Sequence, residues 1–339
     1  MASPPSSTRP PLIARDRLAA LLHAASTQHV CIVGDAMLDL YLRGDVDRIS
    51  PEAPVPVVRV RERRQALGGA ANVAQNVAAL GAGCDLVAVV GDDRAGETLR
   101  TMLRDGGMPD RSLVSTTRPT TTKTRVMARA QQLVRFDEED DQDLSPDDVA
   151  RVLDAIDAAL PHATALVFED YNKGVLVPAV IEGAIARASA RGLPIVVDPK
   201  FRNFFAYRGA TVFKPNRREL ESALGAAVNL EDPAALPTTF ARLGVAHLLL
   251  TLGEQGMALV DAEGAVHRVP TTAREVYDVV GAGDTVTAYL AAMLGAGASA
   301  LEAAIIANFA AGVEVGKLGA ATVSAEEVLA AYDAHHDDS

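Results

Sequence analysis

Six short apolar runs constrain this chain more than any other feature of it: HVCIVGD, CDLVAVVG, TALVFED, LPIVVDPK, ATVFKPN and AHLLLTLG. They are rich in β-branched residues, show no polar alternation and stop at Gly, Asp or Lys-Pro. Such runs belong to strands buried on both faces. Between them lie segments of helical periodicity, beginning at Leu18 and including AANVAQNVAALGA and DRAGETLRTMLRDGG. Further helices are predicted to open near Pro146, Val177, Arg217 and Pro233. A hairpin, GMALVDAEGAVHRVP, and an alanine-rich helix from Ser299 complete the pattern. Strands alternating with helices predict an α/β fold: a doubly wound, mostly parallel central sheet with helices on both faces.

Two segments break that rhythm. SPEAPVPVVRVRERRQALGG and TTTKTRVMARAQQLVRFDEE are polar and roughly alternating. Pro54 and Pro56 suit an edge strand. The pattern predicts a small, half-exposed antiparallel sheet standing apart from the main one, with strands near 50–64 and 120–136. The start, MASPPSSTRPP, reads as a disordered leader over 1–15, followed by one domain over 16–332 and a frayed tail over 333–339.

With 339 residues and 49% hydrophobic, the chain can bury one sizeable core. A net charge of -12 argues against a general nucleic-acid or anionic-membrane binder, though not against an anionic substrate held by a few local cations. The two cysteines, Cys31 and Cys84, sit in apolar runs and read as core thiols. No run approaches about 18 uncharged apolar residues and no apolar signal core opens the chain, so the cytoplasm is the expected compartment.

Short phosphate-binding motifs fail. A P-loop at AGVEVGKLG would need Gly at Ala311 and Ser or Thr at Leu318. The dinucleotide motif breaks at Val286 after Gly281 and Gly283. Neither G-x-S-x-G nor H-E-x-x-H occurs. What remains is DVVGAGDTVTAYL, where Gly281, Ala282 and Gly283 precede an apolar-periodic helix. Small residues there leave backbone N–H groups exposed at a helix N-terminus, where an anion is favoured. Asp284 beside such an anion is electrostatically poor unless it takes a proton. An ordinary capped helix start fits the same spacing. Asn216 and Glu219, at i and i+3, read either as a capping box or as a polar pair for hydrated Mg²⁺. Thr251, Gly253 and Gly256 follow a strand end. Asp35, Asp39, Gly68, Gly69, Asn72 and Asn76 offer carboxylates, amides and close approach suited to sugar hydroxyls.

With these residues together, the chain resembles the ribokinase-like (PfkB-type) carbohydrate kinases from about Val30 to Leu329. Asp278, Gly281, Ala282, Gly283 and Asp284 match the late signature, Gly68, Gly69, Asn72 and Ala74 the early one, and Asn216 with Glu219 the Asn-x-x-Glu motif. Val286 stands where many members carry Phe. The resemblance implies ATP-dependent phosphorylation of a sugar hydroxyl, with Asp284 as general base and the 281–283 amides as anion hole. It implies Asn216 and Glu219 organising Mg²⁺, with Glu219 acting through water. Thr251, Gly253, Gly256 and Asn308 would line the nucleotide side, and Asp39, Gly68, Gly69 and Asn72 the sugar side. It further implies a substrate lid, a homodimer through the lid strands, and a monovalent-cation loop near Asp278.

Within the family the likeness is to D-glycero-β-D-manno-heptose 7-phosphate kinases of lipopolysaccharide core synthesis, carried by LGGAANVAQNVAALGA, VDPK and KPNRREL. These stand alone or are fused to a nucleotidyltransferase, and the length resembles the stand-alone form. The distal phosphate then needs local cations, for which Lys173 is the first candidate, followed by Lys200, Arg135 and Lys123; each also reads as a solvated surface cation, Lys123 most of all. Asp170 and Asp198, ending apolar strands, support hydroxyls or shape loops. A kinase for fructose 1-phosphate or tagatose 6-phosphate, and a non-catalytic sugar or nucleotide sensor, share the same core motifs.

Overall fold

The computed structural model describes residues 13–129, 131–230, 236–261, 263–273 and 276–337. Nine strands form the main sheet in the order β13-β12-β11-β10-β9-β8-β1-β4-β5. They are β1 (His29–Gly34), β4 (Gly83–Gly91), β5 (Leu113–Thr116), β8 (Ala165–Glu169), β9 (Ile195–Asp198), β10 (Val212–Phe213), β11 (His247–Thr251), β12 (Met257–Val260) and β13 (Val266–Val269). Pairing is parallel from β5 to β11, and β12 and β13 add the expected antiparallel hairpin at the edge.

Alternation along the strands assigns residues to the two faces. Ile32, Val167, Val196 and Val212 point into one core, with helices α1 (Arg15–Ala25), α2 (Ala70–Ala79), α8 (Ala282–Gly295) and α9 (Ala300–Glu314). Val33, Phe168, Val197 and Phe213 point into the other, beneath α4 (Pro146–Ala159) and α5 (Pro178–Ala190). Helix α8 is buried from Asp284 to Met293, on every side. A helix apolar all round belongs inside the protein, so only its N-terminus is left to face a crevice. Cys31 and Cys84 are buried free thiols, as expected.

The sheet order reverses between β1 and β8: the chain leaves β1 toward β4 and β5, but leaves β8 toward β9, β10 and β11. Neighbouring loops diverge there and open a cleft at the carboxyl ends of the strands.

The small second sheet exists, in the order β3-β2-β6-β7, formed by β2 (Ala36–Ile49), β3 (Pro56–Gly69), β6 (Thr122–Ala128) and β7 (Gln131–Glu138). It corrects the expected bounds and the expected pairing: β2 and β6 run parallel, so the sheet is mixed rather than antiparallel. Its longest pairing is antiparallel, from Ala36↔Gly69 to Ile49↔Pro56, so the stretch after β1 is itself a lid strand and residues 51–55 are the turn. The apolar start of β2, buried through Asp39, hid that strand in the sequence. The tail also differs from expectation: α10 (Ala325–Asp337) continues through 333–337. Asp333 pairs with Arg15 at 2.7 Å, and the Tyr332 hydroxyl donates to the Ile13 carbonyl at 2.6 Å. The expected leader falls mostly on residues outside those described, and Arg15 already opens α1.

Candidate active site

Four adjacent parallel strands end side by side at the switch point. Register pairs Gly34 with Glu169 and Glu169 with Asp198, and Lys214 follows β10 next to Asp198. Two residues beyond Ile32, Val167, Val196 and Val212, these positions face α8. The Lys214 ammonium donates to Asp198 Oδ2 at 2.7 Å, both groups almost wholly buried. Burial works against the Lys214 charge, but Asp198 and Glu169 hold it above its ordinary value. Carboxylate oxygens of Glu169, Asp198 and Asp284 lie within 4.8 Å of one another. Neither oxygen of Glu169 has a hydrogen-bond partner, and burial and then Asp198 push its carboxyl well above the usual range.

Asp284 sits in the first turn of α8, after Gly281 at φ 100°. That left-handed conformation, and an Ala320 atom 3.2 Å from where a Cβ would stand, explain the glycine. Asp284 Oδ2 accepts from Asn72 Nδ2 at 2.7 Å and Oδ1 from the Tyr171 hydroxyl at 2.9 Å. Burial pushes its carboxyl up to about 6; the Asn72 and Tyr171 hydrogen bonds and Lys214 oppose this, while Asp198 reinforces it. A carboxylate with this value is ionised at neutral pH and still basic enough to take a proton.

Tyr171 is held by Asp35, whose carboxylate accepts the N–H groups of Tyr171, Lys173 and Val175 at 2.8, 3.0 and 3.3 Å. Asp35 therefore shapes the loop after β8. Asp170 does the same from the other side, accepting from Asn172 N–H and the Tyr207 hydroxyl, both at 2.8 Å.

The residues expected on the sugar side lie on or beside the lid sheet. Asp39 is buried and pairs with Arg125 across β2 and β6. Gly68 lies against the Asp39 carboxylate, and Gly69, at φ 57°, packs on the Asp35 carbonyl. Asn76 Oδ1 accepts from the Thr285 hydroxyl at 3.1 Å, a second tie between α2 and α8 beside Asn72–Asp284.

Asn216, Thr251 and Gly253 line an open cleft of about 380 Å³ on the other side. Asn216 and Glu219 form the capping box of α6 (Arg217–Leu224), with Glu219 accepting from Asn216 N–H at 2.9 Å and pairing with Lys200.

Residues 27–327 match the profile of the pfkB family carbohydrate kinases. The chain belongs to the PfkB family. Relatives include the bifunctional protein HldE of Rhodospirillum rubrum, 46% identical over 317 residues covering 93% of this chain and 64% of that protein. A second is the bifunctional protein HldE of Caulobacter sp. strain K31, 47% identical over 330 residues, 95% of this chain and 66% of the relative. The chain thus spans just under two thirds of the length of these relatives. Phosphofructokinase-2 from Escherichia coli, crystallised with substrates and products, superposes with a TM-score of 0.75 at 21% identity, covering 91% of this chain and all of that one. The fold is that of ribokinase-like sugar kinases, and this PfkB chain is a sugar kinase.

Asp284, Gly281, Ala282, Gly283, Asn72, Gly68, Gly69 and Asp39 therefore lie at one crevice, with Asn216, Thr251 and Gly253 lining the cleft beside it. Other expected residues have local partners. Gly256, at φ 81°, lies on the Val269 carbonyl inside the hairpin. Asn308 is buried in α9 and donates to the Pro270 carbonyl at 2.8 Å. Lys173 pairs with Glu139 at 2.8 Å, and Arg135 with Asp137 at 3.0 Å on the lid. Lys123 and Lys200 stand over the Tyr171 ring, 5.2 and 5.3 Å from its centroid.

Tyr171, Lys214 and Glu169 escaped sequence reasoning. Their signal was present: FEDY and FKPN each end an apolar strand in polar residues, where crevice side chains originate.

Proposed function

We propose that this chain phosphorylates D-glycero-β-D-manno-heptose 7-phosphate at its C1 hydroxyl, using ATP, to give the 1,7-bisphosphate and ADP for lipopolysaccharide core synthesis in the cytoplasm. The observation that carries the reading is the Asp284 carboxylate, fixed by Asn72 and Tyr171 at the N-terminus of α8 between lid and nucleotide-side cleft. Likeness to the bifunctional HldE proteins over most of the chain supports the substrate class.

Asp284 accepts the proton of the C1 hydroxyl. The freed oxygen attacks the γ-phosphorus of ATP, and the bond to the β-phosphate bridging oxygen breaks, releasing ADP. The N–H groups of Ala282, Gly283 and Asp284, in the first turn of α8, have no acceptor one turn back and suit the charge on the transferring phosphoryl group. Adenine nucleotide would approach along Asn216, Thr251 and Gly253, with the sugar between Asp39, Gly68, Gly69 and Asn72. The lid excludes water from the reacting centre.

Magnesium fits the donor set. The unpartnered oxygens of Glu169, close to those of Asp198 and Asp284, are hard ligands for it; Glu219, acting through water, is a second proposal. Bound there, it would neutralise charge on the ATP phosphates. Asp278, whose carboxylate accepts from Val280 and Gly319 N–H, marks the proposed monovalent-cation loop. The outer lid face, with half-buried Leu40 and Leu42 and exposed Phe136, supports a homodimer through the lid strands.

The test is a side-by-side assay of the purified chain with ATP and Mg²⁺ on the heptose 7-phosphate, fructose 1-phosphate and tagatose 6-phosphate. Higher kcat/KM for the heptose is expected. A hexose phosphate turned over better would overturn the choice, and no turnover of any would favour a sensor.

A further inference from the structure

The inner lid face holds a cavity of about 480 Å³ walled by Arg43, Arg64, Arg125 and Arg129 and closed by the Asp278–Val280 and Leu318–Ala320 loops. We propose that this cavity clamps the phosphate of the sugar that does not react. The inference rests on the sugar-phosphate reading above and deepens it, because it assigns that phosphate to residues other than Lys173 and Arg135.

Four guanidiniums in one cavity are conspicuous in a chain of net charge -12. Of these four, only Arg125 has a carboxylate partner among the described residues, Asp39, and it also lies over the Tyr41 ring. Arg43 comes from β2, and its buried Nε has no hydrogen-bond partner. Arg129 reaches the cavity from the β6–β7 turn, at φ 54°, a costly conformation for a side-chain-bearing residue. Asp278 also lines the cavity, and its carboxylate accepts from Val280 N–H at 3.1 Å and Gly319 N–H at 3.2 Å rather than from an arginine. Against the two carboxylates of Asp39 and Asp278, four guanidiniums leave an excess of positive charge that an added anion would balance. Planar forks with several donors each match the three terminal oxygens of a phosphate monoester.

The cavity is also in the right place. Arg125 pairs with Asp39, Asp39 packs on Gly68, Gly69 adjoins the Tyr171 ring, and Tyr171 donates to Asp284. From the opposite wall, Val280 runs directly into Gly281 and the base. A sugar with its hydroxyl at Asp284 therefore extends its far end toward the arginines. Lys173 and Arg135, by contrast, already have carboxylate partners.

The experiment measures kcat/KM of the full chain for the three sugar phosphates named above and for their unphosphorylated parent sugars, in the parent protein and in Arg43→Ala, Arg64→Ala and Arg43→Lys. The preference for phosphorylated over plain sugar is expected to fall about 10- to 100-fold in each Ala variant, through KM for the sugar phosphate. Arg43→Lys should lose less, and inhibition by inorganic phosphate should weaken in parallel. KM for ATP should hold and melting temperatures stay within a few degrees, both arginines being partly exposed.

An unchanged preference in both Ala variants overturns the clamp. So does a rise in KM for ATP instead, which would give the cavity to the nucleotide. A parent enzyme that favours a hexose phosphate, yet loses that preference in the variants, defeats the heptose reading and leaves the clamp standing.

Discussion

Asn72 and Asp284, 212 positions apart in the chain, share a 2.7 Å hydrogen bond in which the amide donates to carboxylate Oδ2. That bond joins α2, which follows the lid strand β3, to α8. Together with Tyr171 it orients the oxygens of Asp284 while leaving the carboxylate charged.

Asp284→Asn keeps the size of the side chain and removes its basicity. Phosphoryl transfer should fall by roughly 10²- to 10⁴-fold, with the melting temperature within a few degrees of the parent. ADP release and thermal melting check both, and a rate within a few-fold of the parent would exclude the general-base role.

The pH profile follows from the carboxyl of Asp284, pushed up to about 6 chiefly by burial. If Asp284 acts as the proposed general base, its ionised form accepts the proton, so activity should be full well above pH 6 and fall as pH drops through it. For stability the sign is opposite: the cost of the buried charge is absent below the ordinary 3.8 and complete above about 6. Tyr171→Phe removes a donor that favours the charged form, so the acid limb should move up by about 0.5–1 pH unit. A limb that stays put or moves down in the variant counts against this arrangement.

Lys214→Met leaves Asp198 buried without its cation, beside two more carboxylates. Unfolding in urea should show a loss of about 3–5 kcal/mol. Adding Asp198→Asn should restore much of it, because the charge left unpaired is then gone. Equal stability of parent and Lys214→Met would show that the buried pair contributes nothing.

Gly69 and Gly253 both have positive φ, 57° and 62°, but differ in surroundings. A Cβ at Gly69 would run into the Asp35 carbonyl, whereas at Gly253 it meets nothing within 4 Å. Gly69→Ala should therefore destabilise by about 2–4 kcal/mol and Gly253→Ala by about 1 kcal/mol. Denaturation curves in the reverse order would refute this reading of the two turns.

The α/β class, the hairpin, the starts of α4, α5 and α6 and the separate small sheet were legible because each depends on local periodicity or a local cap. Strand β2 was not, because its first residues are buried like a core strand and only pairing with β3 and β6 shows where it lies. The 333–337 segment likewise looked frayed until Asp333 met Arg15.

The sequence by itself determined the βα alternation and the glycine-rich start of α8, since both are written in spacing along the chain. It also carried the signature residues, including Asp284. Only tertiary structure decided what surrounds that carboxylate. Glu169, Asp198 and Lys214 become neighbours through the register of separate parallel strands, while Asn72 arrives from helix α2 and Tyr171 from the loop after β8. Electrostatic environment depends on distance and burial in space, and neither is encoded in the local pattern of residues.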